Sequence, residues 1–132
     1  MKKAKKVFVD LSATILHHGH IRLLKKAKKF GKVFVGLSLD KEVKKYKGYL
    51  PELSYNQRKE IISSIKYVDK VIPTKWKITN KFLLTHNFNM IIRGSDHKKD
   101  KFKIKTIIFP RTKGVSSKII RKKASKIVKK VY

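Results

Sequence analysis

Val7-Phe8-Val9-Asp10-Leu11, followed after a short turn by His17-His18-Gly19-His20, joins a run of strand-forming residues to an amphipathic stretch that opens at Ile21. From there Ile21, Leu24, Ala27 and Phe30 fall at helical spacing, and Gly31 is placed to stop the helix. The segment therefore reads as strand, turn and helix. A helix start of this kind is a ready phosphate site, because its first backbone N–H groups have no internal partner and face outward. Gly19 removes a side chain where a ligand could approach the backbone, and an imidazole stands on either side of it. This turn points to a phosphate ligand.

The pattern repeats along the chain. Lys32–Leu37 reads as a second strand, followed by a lysine-rich loop that carries Lys47-Gly48. Ser54 is a candidate N-cap for a helix through about Ile65, with Ile61, Ile62 and Ile65 on one face. Val71-Ile72, Met90-Ile91-Ile92 and Thr106-Ile107-Ile108-Phe109 read as short buried strands, with a helix over about Lys77–Thr85 between the first two. A last helix opens near Ser116, and Ile120, Ala124, Ile127, Val128 and Val131 form an apolar face expected to pack on the sheet. Strands separated by helices imply an α/β fold: a single Rossmann-like domain over residues 1–132, with a mainly parallel five-stranded sheet flanked by helices. Ligands of such sheets bind at the carboxyl ends of the strands, near the point where strand order reverses.

Composition narrows the partners. The chain has 132 residues, 36 Lys and Arg against 8 Asp and Glu, and a formal net charge of +28. A surface this basic attracts phosphorylated ligands, nucleic acid or anionic lipid. The lysines are spread over nearly every segment, without the aromatic neighbours that base stacking needs, so specific nucleic-acid binding is not expected. No apolar stretch is long enough to span a bilayer. The absence of cysteine excludes disulfides and thiolate metal sites and fits a cytoplasmic protein.

Two further segments follow strands and carry chemistry. Arg111-Thr112-Lys113-Gly114-Val115-Ser116-Ser117 supplies a guanidinium, hydroxyls, a turn glycine and the free N–H groups of a helix start. Gly94-Ser95-Asp96 follows Met90–Arg93, and Asp96 is an oxygen donor at a strand's carboxyl end, suited to a divalent cation or a ligand hydroxyl. Histidine-based metal binding lacks a nearby cysteine or carboxylate cluster. Lys47 and Arg58 are weaker phosphate candidates in a chain so rich in cations.

In order and over nearly the whole chain, these segments resemble the cytidylyltransferase-like nucleotidyltransferases. His17–His20 is similar to the family's HxGH signature and Arg111–Ser117 to its RTxGISS/T signature. The second narrows the resemblance to the branch that includes the glycerol-3-phosphate and phosphocholine cytidylyltransferases. Phe8–Ala13 looks most like relatives that activate phosphocholine or aminoethylphosphonate. Where the family usually has aspartate, three residues before the first signature histidine, this chain has Thr14.

The resemblance implies transfer of CMP from CTP to a small phosphorylated or phosphonate acceptor, with release of pyrophosphate. It implies His17, His20, Lys47 and Arg111 as catalytic residues. It places Leu11, Ser12, Gly19, Arg58, Gly94, Asp96, Thr112, Gly114, Val115 and Ser116 on the nucleotide. Mg²⁺ is expected as cofactor, held mainly by the triphosphate with Asp96 as a weak protein ligand, and a homodimer is expected as the assembly. The rival readings are adenylyl transfer from ATP, which uses the same histidine signature, and a non-catalytic basic module that binds nucleotide, nucleic acid or a membrane surface.

Overall fold

The computed structural model describes residues 4–95 and 100–131. The elements are β1 (Lys6–Leu11), α1 (His18–Lys28), β2 (Lys32–Ser38), α2 (Asp40–Lys47), α3 (Tyr55–Ser63), β3 (Lys70–Thr74), α4 (Asn80–Thr85), β4 (Met90–Gly94), β5 (Lys105–Phe109) and α5 (Ser117–Val131). All five strands run parallel in the order β3-β2-β1-β4-β5. The chain walks outward from β1 to β3 and then returns to the other side of β1. Strand order therefore reverses between β1 and β4, and a crevice opens at their carboxyl ends.

Buried parallel strands are apolar on both faces. Alternation sends Val7, Val9, Val33, Val35 and Ile92 to one face, where Leu24 and Ala27 of α1 and Ile62 of α3 cover them. Phe8 and Ile91 point to the other face, against Leu83 of α4 and Phe88. The Phe8 ring lies over the backbone of Gly36, where a Cβ would come 2.3 Å from the ring's tip and 2.8 Å from the Thr74 methyl. Gly36→Ala is expected to cost about 1–3 kcal/mol by overpacking, read as a lower urea midpoint at unchanged slope.

Several elements depart from the expected pattern. The lysine-rich stretch after β2 is not a loop but the helix α2. It buries only Val43, so apolar periodicity was silent. Charge order builds it instead: Asp40 and Glu42 stand in the first turn, Lys44, Lys45 and Lys47 in the last, and Gly48 closes it in the left-handed conformation. The first helix starts at His18 rather than Ile21 and is capped by Lys29, with Phe30 exposed beyond it. In α3 the expected N-cap Ser54 pairs with Gln57 in a capping box, while Ile61 faces solvent. The fourth helix begins only at Asn80, behind its N-cap Thr79.

The largest departure is α5. Its apolar stripe does not pack on the sheet: Ile127 is 61% exposed, Val128 50% and Val131 67%, and no residue of the helix is buried.

Candidate active site

A cavity of about 680 Å³ occupies the crevice at the ends of β1, β4 and β5. Its walls are the strand ends Leu11, Ser12 and Gly94, the start of α1, Lys47 from the last turn of α2, and the segment from Phe109 into α5. Seven Lys and Arg side chains line it against one described carboxylate, that of Asp10. Such a surplus in a concave site selects polyanions.

The two histidines form the start of α1 rather than a turn before it. His17 is the N-cap and His20 the third helical residue. The Gly19 N–H donates to His17 Nδ1 at 3.1 Å, and the His17 N–H donates to His20 Nδ1 at 3.1 Å. This is a capping box made from imidazoles, and it explains the three-residue spacing. With Nδ1 of each ring accepting, the neutral ring carries its hydrogen on Nε2. Both rings line the cavity, so each has one N–H donor left for a ligand.

Electrostatics keep the rings neutral. Burial, followed by the neighbouring His17, Lys47 and Arg111, pushes His20 down to about 3. Burial, with His18 and Arg111, also lowers His17. An imidazole held neutral in the fold but protonated in the unfolded chain makes unfolding take up protons below pH about 6.5. The His20 contribution to stability is therefore complete above that value and is lost as pH falls toward 3, at up to about 1.4 kcal/mol per pH unit. Urea titrations from pH 7 to 4 check this: His20→Gln is expected to show the shallower loss.

Gly19 lies on the cavity wall and is also required by its own neighbour. A Cβ there would lie 2.8 Å from Cε1 and 2.9 Å from Nδ1 of His17. Gly19→Ala is expected to shift stability by less than about 1 kcal/mol, alanine being the better helix former. It should lower kcat by about tenfold or more by displacing the His17 ring.

On the opposite wall Arg111, Thr112, Val115 and Ser116 reach the cavity, and Arg111 acts on both imidazoles through its charge. The Ser116 hydroxyl accepts from the Ile119 N–H at 3.1 Å, so it also caps α5. Ser117 Oγ donates to the Ile15 carbonyl at 3.2 Å and ties α5 to the turn after β1. Gly114 adopts φ +78° in the turn and does not line the cavity.

Arg58 does not line the cavity. It is 2% exposed, and its guanidinium donates to the carbonyls of Leu53, Ser12 and Ser38 and to Asp40 Oδ1. It clamps the ends of β1 and β2 to the start of α3. Asp96 lies outside the described residues. Thr14 is buried, its hydroxyl has no partner among the described residues, and it does not line the cavity.

Asp10 is a wall residue that sequence reasoning passed over. Arg93 grips it in a fork, Nε to Oδ1 at 3.0 Å and Nη2 to Oδ2 at 2.7 Å, and reaches Asp100 with Nη1. The available signal was an acid inside an apolar strand, matched by an arginine inside another. Arg121 was also missed: it holds Glu52 through two bonds and the Tyr49 hydroxyl through a third, fastening α5 to the connection between α2 and α3. A smaller hollow of about 130 Å³ adjoins the main one, bounded by Asp10, Ser38, Lys47, Lys75 and Trp76.

The described donors offer no cluster for a protein-held Mg²⁺, and Asp96, the expected ligand, lies outside them. Among the described residues no group of three His, Asp or Glu could hold a metal, and both oxygens of Asp10 are engaged by Arg93.

Known proteins resemble this chain in sequence and in fold. The chain is 34% identical over 130 residues to the glycerol-3-phosphate cytidylyltransferase of Bacillus subtilis (strain 168), covering 89% of this chain and 95% of the relative. It is 34% identical over 125 residues to the enzyme of the same name from Staphylococcus aureus, covering 89% and 92%. Mouse ethanolamine-phosphate cytidylyltransferase is 31% identical over 93 residues, covering 69% of this chain and 23% of that protein. The crystal structure of a lipopolysaccharide core biosynthesis protein from Thermoplasma volcanium GSS1 superposes with a TM-score of 0.73 at 25% identity, over 83% of this chain and 99% of that one. A family profile described as cytidylyltransferase-like matches residues 13–123, a span that takes in both histidines and the Arg111–Ser117 wall. The chain belongs to the cytidylyltransferase-like family of enzymes.

Proposed function

We propose that this enzyme transfers CMP from CTP to a small phosphorylated alcohol, glycerol 3-phosphate being the first acceptor to test. The observation that carries the reading is the pair of neutral imidazoles, each with Nδ1 engaged and Nε2–H free, on the wall of a strongly cationic cavity. An acceptor phosphate oxygen attacks the α-phosphorus of CTP in line. The new P–O bond forms as the bond to the bridging α–β oxygen breaks, and pyrophosphate leaves with the electron pair. The product is a CDP-alcohol, and no covalent bond to the enzyme is made.

The two Nε2–H groups donate to oxygens of the α-phosphate as charge builds on them, and they need no proton transfer to do so. Lys47 and Arg111 neutralise the reacting phosphates, while Thr112, Ser116 and the first N–H groups of α5 receive the leaving pyrophosphate. The smaller hollow suits the acceptor, with Lys47 and Lys75 for its phosphate. Asp10, with its charge compensated by Arg93, can still accept from acceptor hydroxyls but offers no net charge to an ammonium. This favours a polyol phosphate over phosphocholine. Mg²⁺ arrives with the triphosphate as part of the substrate. A cytoplasmic location fits a cysteine-free chain acting on CTP, and the expected homodimer is checked by sedimentation equilibrium.

The test is pyrophosphate release with CTP or ATP against a panel of glycerol 3-phosphate, phosphoethanolamine, phosphocholine and aminoethylphosphonate. Turnover is expected with CTP and fastest with glycerol 3-phosphate. Preference for ATP would make it an adenylyltransferase. No turnover across the panel by folded protein that binds CTP would refute the catalytic reading.

A further inference from the structure

Beyond Arg121, α5 leaves the body of the protein. Residues 122–131 are all exposed, and the side-chain bonds that fix the helix come from Ser116, Ser117 and Arg121 at its start. Ile120, Ala124, Ile127, Val128 and Val131 share a stripe about 100° wide at 3.6 residues per turn. The rest of the circumference carries Lys118, Arg121, Lys122, Lys123, Lys126, Lys129 and Lys130, with no acid anywhere in the helix. Three free turns with an uncovered apolar stripe are marginal in water on their own, so something covers them.

Charge decides what. A second copy laid stripe to stripe would bring two helices of seven cations together, each on a body of net charge +28. A nucleic acid would engage the lysines and leave the stripe in water. An anionic lipid surface satisfies both faces: the stripe enters the acyl boundary, and the lysines beside it reach back to the headgroups on their alkyl stems. We propose that α5 docks the enzyme in the interface of an anionic bilayer, with the cavity at its first turn left open to soluble substrates. The docking is independent of which nucleotide the site uses.

Full-length protein is mixed with vesicles of phosphatidylcholine alone, or of phosphatidylcholine and phosphatidylglycerol in equal amounts, and sedimented. Binding to the anionic vesicles alone is expected, weakening as salt rises. The double variant I127S/V128S keeps every charge. Both side chains are at least half exposed, so the melting temperature and CMP transfer should stay as in the parent. Its vesicle affinity is expected to fall by about tenfold or more. Equal vesicle binding by parent and variant would reduce the effect to the general basic surface and overturn the proposal. So would a parental dimer that the variant converts to monomer, which would assign the stripe to a second copy. Absence of binding to either vesicle, or tight binding to single-stranded RNA that the variant loses, would overturn it as well.

Discussion

His20→Ala is expected to lower kcat for pyrophosphate release by about a hundredfold to a thousandfold, with a smaller change in KM for CTP. In the proposed reaction the imidazole is a neutral donor to charge that develops only in the transition state, so its loss falls on the chemical step. The same substitution leaves the His17 N–H without its acceptor at the helix start, which costs about 0.5–2 kcal/mol of stability. His20→Gln separates the two roles. Glutamine at the third helical position completes a capping box, as Gln57 does for α3, and should restore the melting temperature without restoring kcat. Wild-type turnover in either variant would remove His20 from the reaction.

The second large effect lies away from the cavity. Arg58→Leu is expected to cost about 3–5 kcal/mol, because it leaves Asp40 and three backbone carbonyls without the donor that satisfies them. In a chain of this size that is a large share of total stability. Activity should be lost mainly through unfolding, and below the new melting transition KM for CTP should stay near the parental value. A variant of unchanged urea midpoint but greatly raised KM for CTP would instead put the guanidinium on the nucleotide.

The fold and the cavity were legible because their signals are local. Runs such as Val7-Phe8-Val9 and Met90-Ile91-Ile92 mark strands buried on both faces; the histidine signature follows β1, where the sheet reverses its order, and the Arg111 signature follows the edge strand β5 on the same side of the sheet. Eleven of the expected site residues, His17, His20, Lys47 and Arg111 among them, do meet on one cavity.

What escaped depended on partners distant in the chain. Arginine near the start of a helix reads naturally as a phosphate binder. Only its position four residues before Ile62, on the buried side of α3, hinted that Arg58 belongs to the core. Asp10 could be understood only with Arg93, 83 residues away. Periodicity found the apolar stripe of α5 correctly but could not tell that the sheet would leave it uncovered. The histidines were placed before the helix because imidazole is an unusual cap, and the first turn carries no acid to announce it.

In the proposed reaction that imidazole cap ties the lifetime of a helix end to the occupancy of the cavity. First turns ordinarily fray, opening at little cost. Here the opening of residues 17–20 withdraws both Nε2–H donors together, since each ring is anchored through a backbone amide of that turn. A nucleotide that grips the two rings must in turn hold the amides of His17 and Gly19 shut. Their hydrogen exchange should therefore slow on binding, while the far end of α1, capped by the backbone N–H of Lys29, keeps its own pace.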